Sequence, residues 1–343
     1  MVEDRLKGKR ILYLSARTFN LEEQIKAKLE SLGAEVIFYD ERIKNSNWSK
    51  AVIRFNKHLV KRQIANYYRK ILKETKHLHV DYMLVVRGEV VPKFFLKLFK
   101  EEHPEGILIF YNWDSFANTN NTAAFLDLYD RKLTFDPEDA KNFNISFRPL
   151  YFTGDYRRVK PVAKPKYDLL FLGTAHSDRY IISSKIKQFL EEHGRTMFCY
   201  YFMHSKWVYY FKKNFDKTFQ YFDLKKLSFS SLNLSDIVTL YEQSNAILDI
   251  NHPNQKGLTM RTFESIGSQR KLLTTNAEIK KFEFYNPNNI FVMDRDDCTI
   301  DIKFFDSPYQ PIDEVMYEKL SIEGWIYNLF IDDEKEYWSK VIQ

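Results

Sequence analysis

The stretch LDINHPNQKGLTMRTFESIGSQRKLLTTN, residues 248–276, reads as strand, polar loop, short helix, tight turn and strand again. Arg261 and Glu264 are three residues apart, so they share one face of the helix. A helix N-terminus carries partial positive charge and unsatisfied N–H groups, and an arginine beside it adds a full charge. That combination suits a diphosphate, while a carboxylate one turn on can accept from a pair of sugar hydroxyls. The pattern therefore fits a ligand with both groups. A helix start that merely carries an acid and a base in its first turns is the other reading.

The flanking sequence supplies an alternating β and α pattern. RILYLS (10–15) is a buried first strand, LEEQIKAKLESLG is a helix stopped by Gly33, and AEVIFYD (34–40) is a second strand, which together imply a parallel sheet. A long basic helix follows at about 50–78. Further strands are expected at 81–89, 106–114, 132–136 and 145–152, with a helix opened by Pro92 between the first two. Arg87, Glu89, Asn112, Asp114 and Asp136 then fall at the carboxyl edge of this sheet, where open α/β sheets bind ligands. TGDYRRVKPVAKPK (153–166) is polar, basic and proline-bearing, as a linker is. A second alternation starts at YDLLFLG (167–173). The expected organisation is an N-terminal domain over 1–155, a linker over 156–166, a C-terminal domain over 167–311 and a helical segment over 312–343.

A chain of 343 residues is about right for two domains, and 44% hydrophobic with 29% charged residues suits a globular protein. The formal net charge of +6 favours anionic partners. The basic residues join no known nucleic-acid fold signature, so no nucleic-acid partner is expected. Two distant cysteines, Cys199 and Cys298, indicate neither a disulfide framework nor a zinc site, and the expected setting is the cytoplasm. The N-terminus does not read as a signal peptide, and no apolar run approaches the ~18 residues of a spanning helix.

YDLLFLGTAHSDR (167–179), GLTMRTFESIGSQRKLLTTN (257–276) and FYNPNNIFVMD (284–294) carry a resemblance to the GT-B glycosyltransferases, in particular to the bacterial spore-maturation and capsular-polysaccharide group. The resemblance covers the C-terminal half, and the N-terminal half only in overall pattern. It implies an α/β GT-B fold of two Rossmann-like domains facing a central cleft. A nucleotide-sugar donor would bind in the C-terminal half and a glycan or lipid-linked glycan acceptor in the N-terminal half. By this resemblance Glu264 holds the donor ribose and Arg261 the diphosphate. Thr259, Met260 and Thr262 join them, Gly173 and Thr174 face the phosphates through backbone N–H groups, Arg179 adds charge, and His176 and His252 lie in donor-side loops. Many retaining members carry a glutamate seven residues before the ribose glutamate. Gly257 stands there in this chain, so a retaining mechanism is not carried over and an inverting one is expected.

An inverting transfer needs a general base to deprotonate the acceptor hydroxyl. Asp114 and Glu89 are the candidates, each directly after an apolar strand. Asp114 also reads as the cap of the turn that follows, since WDSFANTN is rich in cap formers. Asp249 reads as structural. No Asp-x-Asp loop of the metal-holding kind is present, and no metal or separate cofactor is expected. The segment 54–76 has eight Lys or Arg and one Glu, with apolar residues interleaved. It reads either as a helix on an anionic membrane surface, which would place the protein peripherally at the inner membrane face, or as a domain helix with solvated charges. Rival functions are a glycerophosphate-type transferase on the same architecture, a nucleic-acid-binding or regulatory protein, and an inactive partner subunit.

Overall fold

Both halves of the chain follow the alternation of strand and helix. The computed structural model describes residues 5–42, 57–118, 122–160, 162, 164–175, 177–215, 219, 221–253, 255–332 and 334–342. The chain divides into two compact units, residues 1–149 with 322–343, and residues 150–321.

In the first unit the strands are β1 (Arg10–Ser15), β2 (Glu35–Asp40), β3 (Tyr82–Val86), β4 (Ile107–Asn112), β5 (Arg131–Thr134) and β6 (Ser146–Phe147). They form one parallel sheet in the order β2-β1-β3-β4-β5-β6. Helices α1 (Leu21–Ser31), α2 (Lys57–Thr75), α3 (Lys93–Glu102) and α4 (Pro137–Phe143) connect them. The chain leaves β1 to one side and returns to β3 on the other. The carboxyl ends of β1 and β3 therefore flank a topological switch point, the usual ligand position in such sheets. The strand expected over 145–152 is cut to two residues, because Pro149 has no N–H to give a ladder.

The basic helix α2 turns its apolar stripe inward. Tyr68, Ile71 and Leu72 are buried in one cluster with Leu12, Met83, Val85, Phe95 and Phe110. The Tyr67 and Tyr68 hydroxyls donate to the Asp40 and Glu41 carbonyls at 2.7 and 3.1 Å. Residues 54–56 lie outside the described residues. Over 61–75 the core occupies the apolar face and the exposed positions are charged or amide side chains, so this part of the helix offers no apolar face for the membrane role expected of 54–76.

In the second unit the strands are β7 (Tyr167–Thr174), β8 (Met197–Phe202), β9 (Leu227–Ser228), β10 (Ser244–Asp249), β11 (Lys271–Thr274) and β12 (Ile290–Val292). They make a second parallel sheet in the order β12-β11-β10-β7-β8-β9. The helices are α5 (Gly154–Arg157), α6 (Arg179–Glu192), α7 (Lys206–Phe215), α8 (Leu234–Glu242), α9 (Met260–Gly267) and α10 (Glu314–Lys319). Here the switch point lies between β7 and β10. Alternate residues of the central strands bury on opposite faces: Leu169, Phe171 and Leu248 join one cluster, Leu170, Leu172 and Ile247 another. Coverage on both faces explains why these strands read as continuous apolar runs.

The boundaries differ from those expected. Residues 150–166 belong to the second unit, where Tyr156 of α5 and Val159 just after it are buried against Leu170 and Tyr241. The last two helices, α11 (Ile322–Phe330) and α12 (Lys335–Ile342), return to the first unit. Trp325 packs edge-on against Tyr111 at 5.0 Å, Phe330 against Tyr82 at 5.2 Å, and Trp338 lies 4.9 Å from the Arg148 guanidinium. Burying those large rings fixes which sheet the C-terminus joins.

Helix α9 sits close to the segment 150–152. A Cβ at Gly267 would fall 2.5 Å from Cγ of Phe152, whose ring is buried, and the Tyr317 hydroxyl donates to the Gly267 carbonyl at 2.6 Å. Gly267→Ala should therefore destabilise the fold by about 1–3 kcal/mol despite alanine's better helix propensity. Denaturant unfolding checks this, and a stability equal to or above the parent would contradict the packing argument.

Candidate functional site

Strand β10 ends at Asp249, and the loop 250–258 leads to α9. The hydroxyls of Thr259 and Thr262 donate to Oδ2 of the buried Asp249 at 2.8 and 3.1 Å. Thr259 occupies the N-cap position, yet its side chain makes no capping bond, because its hydroxyl is committed to Asp249. The first-turn N–H groups of α9 are thus left without a side-chain cap while the turn is pinned to the end of β10. Asp249 is structural, as expected.

The residues after β11 hold the loop in place. Thr275 Oγ1 donates to Asn251 Oδ1 at 2.6 Å, and Asn276 Nδ2 donates to the Lys256 carbonyl at 3.1 Å. The TTN sequence therefore has a local reason, which is to clamp the loop that feeds α9.

Arg261 and Glu264 are both half-buried. Among the described residues Arg261 Nη1 is buried with no hydrogen-bond partner. Burial alone would lower the guanidinium pKa, but Tyr241, Glu264, Asp249 and Tyr156 outweigh it and raise the pKa above its ordinary value, so Arg261 stays charged. Glu264 Oε2 accepts from the Tyr241 hydroxyl at 2.9 Å. Tyr156 lies edge-on to Tyr241 at 5.2 Å. Burial, and then the Glu264 carboxylate, push the hydroxyl pKa of both tyrosines well above the usual range. Glu264 is therefore gripped by two neutral phenols. A carboxylate has about four lone-pair directions, so two such bonds still leave acceptor capacity for a diol.

Two more arginines stand around this helix start. Arg179, the first residue of α6, donates from Nε to the Ile250 carbonyl at 3.0 Å. Burial, reinforced by Arg261 and Arg295 and opposed by Asp249 and Asp178, lowers its pKa to about 10, so it too is charged at neutral pH. Arg295, past β12, donates from Nη1 to Asp178 Oδ2 at 2.6 Å and from Nη2 to Asn251 Oδ1 at 3.1 Å. Three mutually repelling guanidinium groups at a switch point form an arrangement that an anion would relieve.

The other expected donor-side residues are distributed as follows. Gly173 and Thr174 end β7 and pair with Tyr201 and Phe202 of β8. A Cβ at Gly173 would lie 2.7 Å from Cζ of the buried Phe171, so packing alone accounts for that glycine. Met260 is half-buried at the start of α9, and His252 is exposed in the loop. His176 lies outside the described residues. Tyr156, Tyr241 and Arg295 were not foreseen. Arg295 had a sequence signal, a basic residue just after a strand at the carboxyl edge. Tyr241 reads as an ordinary core position of a helix, and Tyr156 lies in what looked like a linker.

In the first unit Arg87 and Gly88 follow β3 with φ of +75° and +66°. A non-glycine residue held there carries roughly 1 kcal/mol or more of strain, a feature that clusters at functional sites. This backbone puts Arg87 Nη2 at 3.4 Å from both Glu89 Oε2 and Asp114 Oδ2, so one guanidinium bridges the two candidate bases. Glu89 also accepts from Arg42 at 3.0 Å. Asp114 Oδ1 accepts from Ser115 N–H at 2.9 Å, in line with its reading as a turn cap. Asp136 caps α4 by accepting from Glu138 and Asp139 N–H groups, a structural role.

Glu41, directly after β2, was also not foreseen. It is fully buried with no partner for either carboxyl oxygen among the described residues. Burial, opposed by Arg42 and reinforced by Glu89, raises its pKa from 4.5 to about 8. Among the described residues, no group of three or more His, Cys, Asp or Glu is placed to hold a metal ion, and no helix is long and apolar enough to cross a membrane.

No family model and no curated protein matches the sequence. Solved structures do. A glycosyltransferase from Rickettsia africae is 13% identical with a TM-score of 0.53, covering 97% of this chain and 99% of that one. HepE of Anabaena, solved in complex with UDP and glucose, is 9% identical with a TM-score of 0.53, covering 94% and 95%. A putative UDP-N-acetylglucosamine 2-epimerase from Listeria monocytogenes is 9% identical with a TM-score of 0.52, covering 97% of each chain. At these identities the likeness establishes the fold: two Rossmann-like α/β units of the GT-B type.

The folded state keeps a proton on Glu41 up to about pH 8, whereas the unfolded chain releases it near 4.5. Between those values the folded state binds the extra proton, so this residue makes stability fall as pH rises and level off above about 8. Glu41→Gln should match the parent near pH 4.5 and exceed it by roughly 1–4 kcal/mol at about pH 8.5. Urea unfolding at both pH values checks this, and an unchanged difference between them would contradict it.

Proposed function

We propose that this chain is a glycosyltransferase that moves a sugar from a nucleotide-sugar donor to a glycan or lipid-linked glycan acceptor in bacterial surface-polysaccharide synthesis, such as capsule or lipopolysaccharide. The observation that carries the reading is the charged Arg261, whose Nη1 has no partner among the described residues, beside the uncapped first turn of α9 and one turn from a tyrosine-held Glu264. Arg261, the α9 N-terminus and Arg179 hold the diphosphate, and Glu264 accepts from the ribose hydroxyls. HepE, with the same fold, is solved with UDP-glucose, which supports a nucleotide sugar as the donor.

Sugar transfer leaves a nucleoside diphosphate whose negative charge grows as the glycosidic bond breaks. Fixed positive groups already aimed at it stabilise that change without reorganising, so the arginines and helix end perform the task a metal performs elsewhere. The acceptor hydroxyl loses its proton to a base on the face opposite the departing diphosphate, which gives inversion. Asp114 is the leading base and Glu89 the second. The protein acts in the cytoplasm, at the inner membrane face where such acceptors are displayed.

A second reading is favoured by the likeness to the Listeria protein: an epimerase working on the same nucleotide sugar. The two readings differ in whether product formation requires an added acceptor.

Arg261→Ala should weaken UDP binding about 10- to 100-fold, the loss of a charge-assisted hydrogen bond, and Glu264→Ala should weaken it comparably. Calorimetry checks both, and unchanged affinity in either would remove that residue from the site. Asp114→Asn should retain UDP affinity and lower kcat by about 100-fold or more. Full turnover in that variant would move the base assignment to Glu89.

A further inference from the structure

Helix α7 faces the opposite way from an ordinary surface helix. Its inward side is anchored: Tyr209 is buried, donates from its hydroxyl to the Phe222 carbonyl at 3.1 Å, and packs with Phe219 at 5.7 Å. Its outward side carries Trp207, Tyr210, Phe211 and Phe215, exposed at 76%, 56%, 54% and 77%. Trp207 stacks on Phe211 at 6.0 Å and Phe211 meets Phe215 at 4.9 Å, so the rings form one continuous stripe at four-residue spacing. Tyr221 adds another exposed ring nearby in sequence. Because Tyr209 holds the inner face, the helix cannot roll to bury the stripe. Isolated exposed hydrophobics need no explanation, but a joined aromatic strip of this kind marks an interaction surface.

The charge around the strip selects the partner. Residues 206–226 contain six lysines against two aspartates. On the helix, Lys206 and Lys213 lie to one side of the aromatic face and are exposed. Aromatic rings with flanking lysines match the boundary of a bilayer, where rings settle at headgroup depth and lysine stems extend to the phosphates. Contact with such a surface asks for no shape complementarity, which suits a short convex helix. We propose that α7 is a docking helix for a membrane surface rich in anionic lipid. The inference does not depend on the donor-site reading, although it would bring the enzyme to a lipid-linked acceptor. It also moves membrane contact from α2, whose apolar stripe is buried in the first unit, to the second unit.

The test is sedimentation of the full chain with vesicles of phosphatidylcholine alone and of phosphatidylcholine mixed with phosphatidylglycerol, at low and high salt. The parent should bind the mixed vesicles at least about tenfold more tightly than the neutral ones, with loss at high salt. Trp207→Ser with Phe211→Ser should weaken binding about tenfold or more, and so should Lys206→Glu. Both variants alter exposed side chains and should keep the parent's UDP affinity, so loss of lipid binding is separable from loss of fold and from failure of the donor assignment. No binding by the parent, or equal binding by parent and variants, would overturn the proposal. So would self-association of the parent in sedimentation velocity that the ring variant abolishes, which would assign the strip to a second copy of the chain.

Discussion

The site depends on where one threonine hydroxyl goes. Thr259 occupies the position from which a side chain ordinarily caps a helix, but it donates to Asp249 at the end of β10 instead. Thr262 donates to the same oxygen one turn later. The two bonds fix the first turn of α9 against the strand that borders the switch point of the sheet. They also leave the positive end of the helix without its own cap. A capped helix would be more stable by about 1 kcal/mol, so this arrangement gives up a local gain that a bound anion can restore.

Around that fixed turn the remaining elements supply charge and support. Arg179 comes from the β7–α6 connection and Arg295 from beyond β12. Arg179 and Arg295 lie at the carboxyl edge for the same reason: parallel strands joined by helices end on one side, so loops distant in sequence converge there. Tyr241 comes from the last turn of α8 and Tyr156 from α5, and Tyr241 reaches Glu264 with its hydroxyl. The first unit repeats the principle with different chemistry. Its edge carries a strained Arg87 bridging two acids, beside the buried Glu41, whose carboxyl has no partner among the described residues.

Much of the fold could be read from the chain because parallel strands buried on both faces are short apolar runs, and Gly33 and Pro92 mark helix ends. The first strand of the second sheet and the α9 helix followed from the same signals. The assignment of the last helices did not, since the rings of Trp325 and Trp338 declare burial without declaring a partner. The stretch 150–166 looked like a linker because its prolines and lysines dominate the composition, while Tyr156 and Val159, which tie it to the second sheet, are only two residues. Arg261 and Glu264 were legible because both lie on one short helix. Tyr241 and Arg295 were not, because only the sheet order brings them to that helix. The apolar stripe of α2 suggested a membrane until its rings were found in the core, whereas the outward rings of α7 have the same amphipathic pattern in sequence and the opposite orientation in space.

The most direct measurement is a crystal structure of the chain with a UDP-sugar or UDP bound. The account predicts the diphosphate against the first-turn N–H groups of α9 and the Arg261 guanidinium, with the ribose hydroxyls on Glu264 and Tyr241 still holding the other side of that carboxylate. A nucleotide seated elsewhere in the second unit, with Arg261 and Glu264 unmoved and untouched, would contradict it.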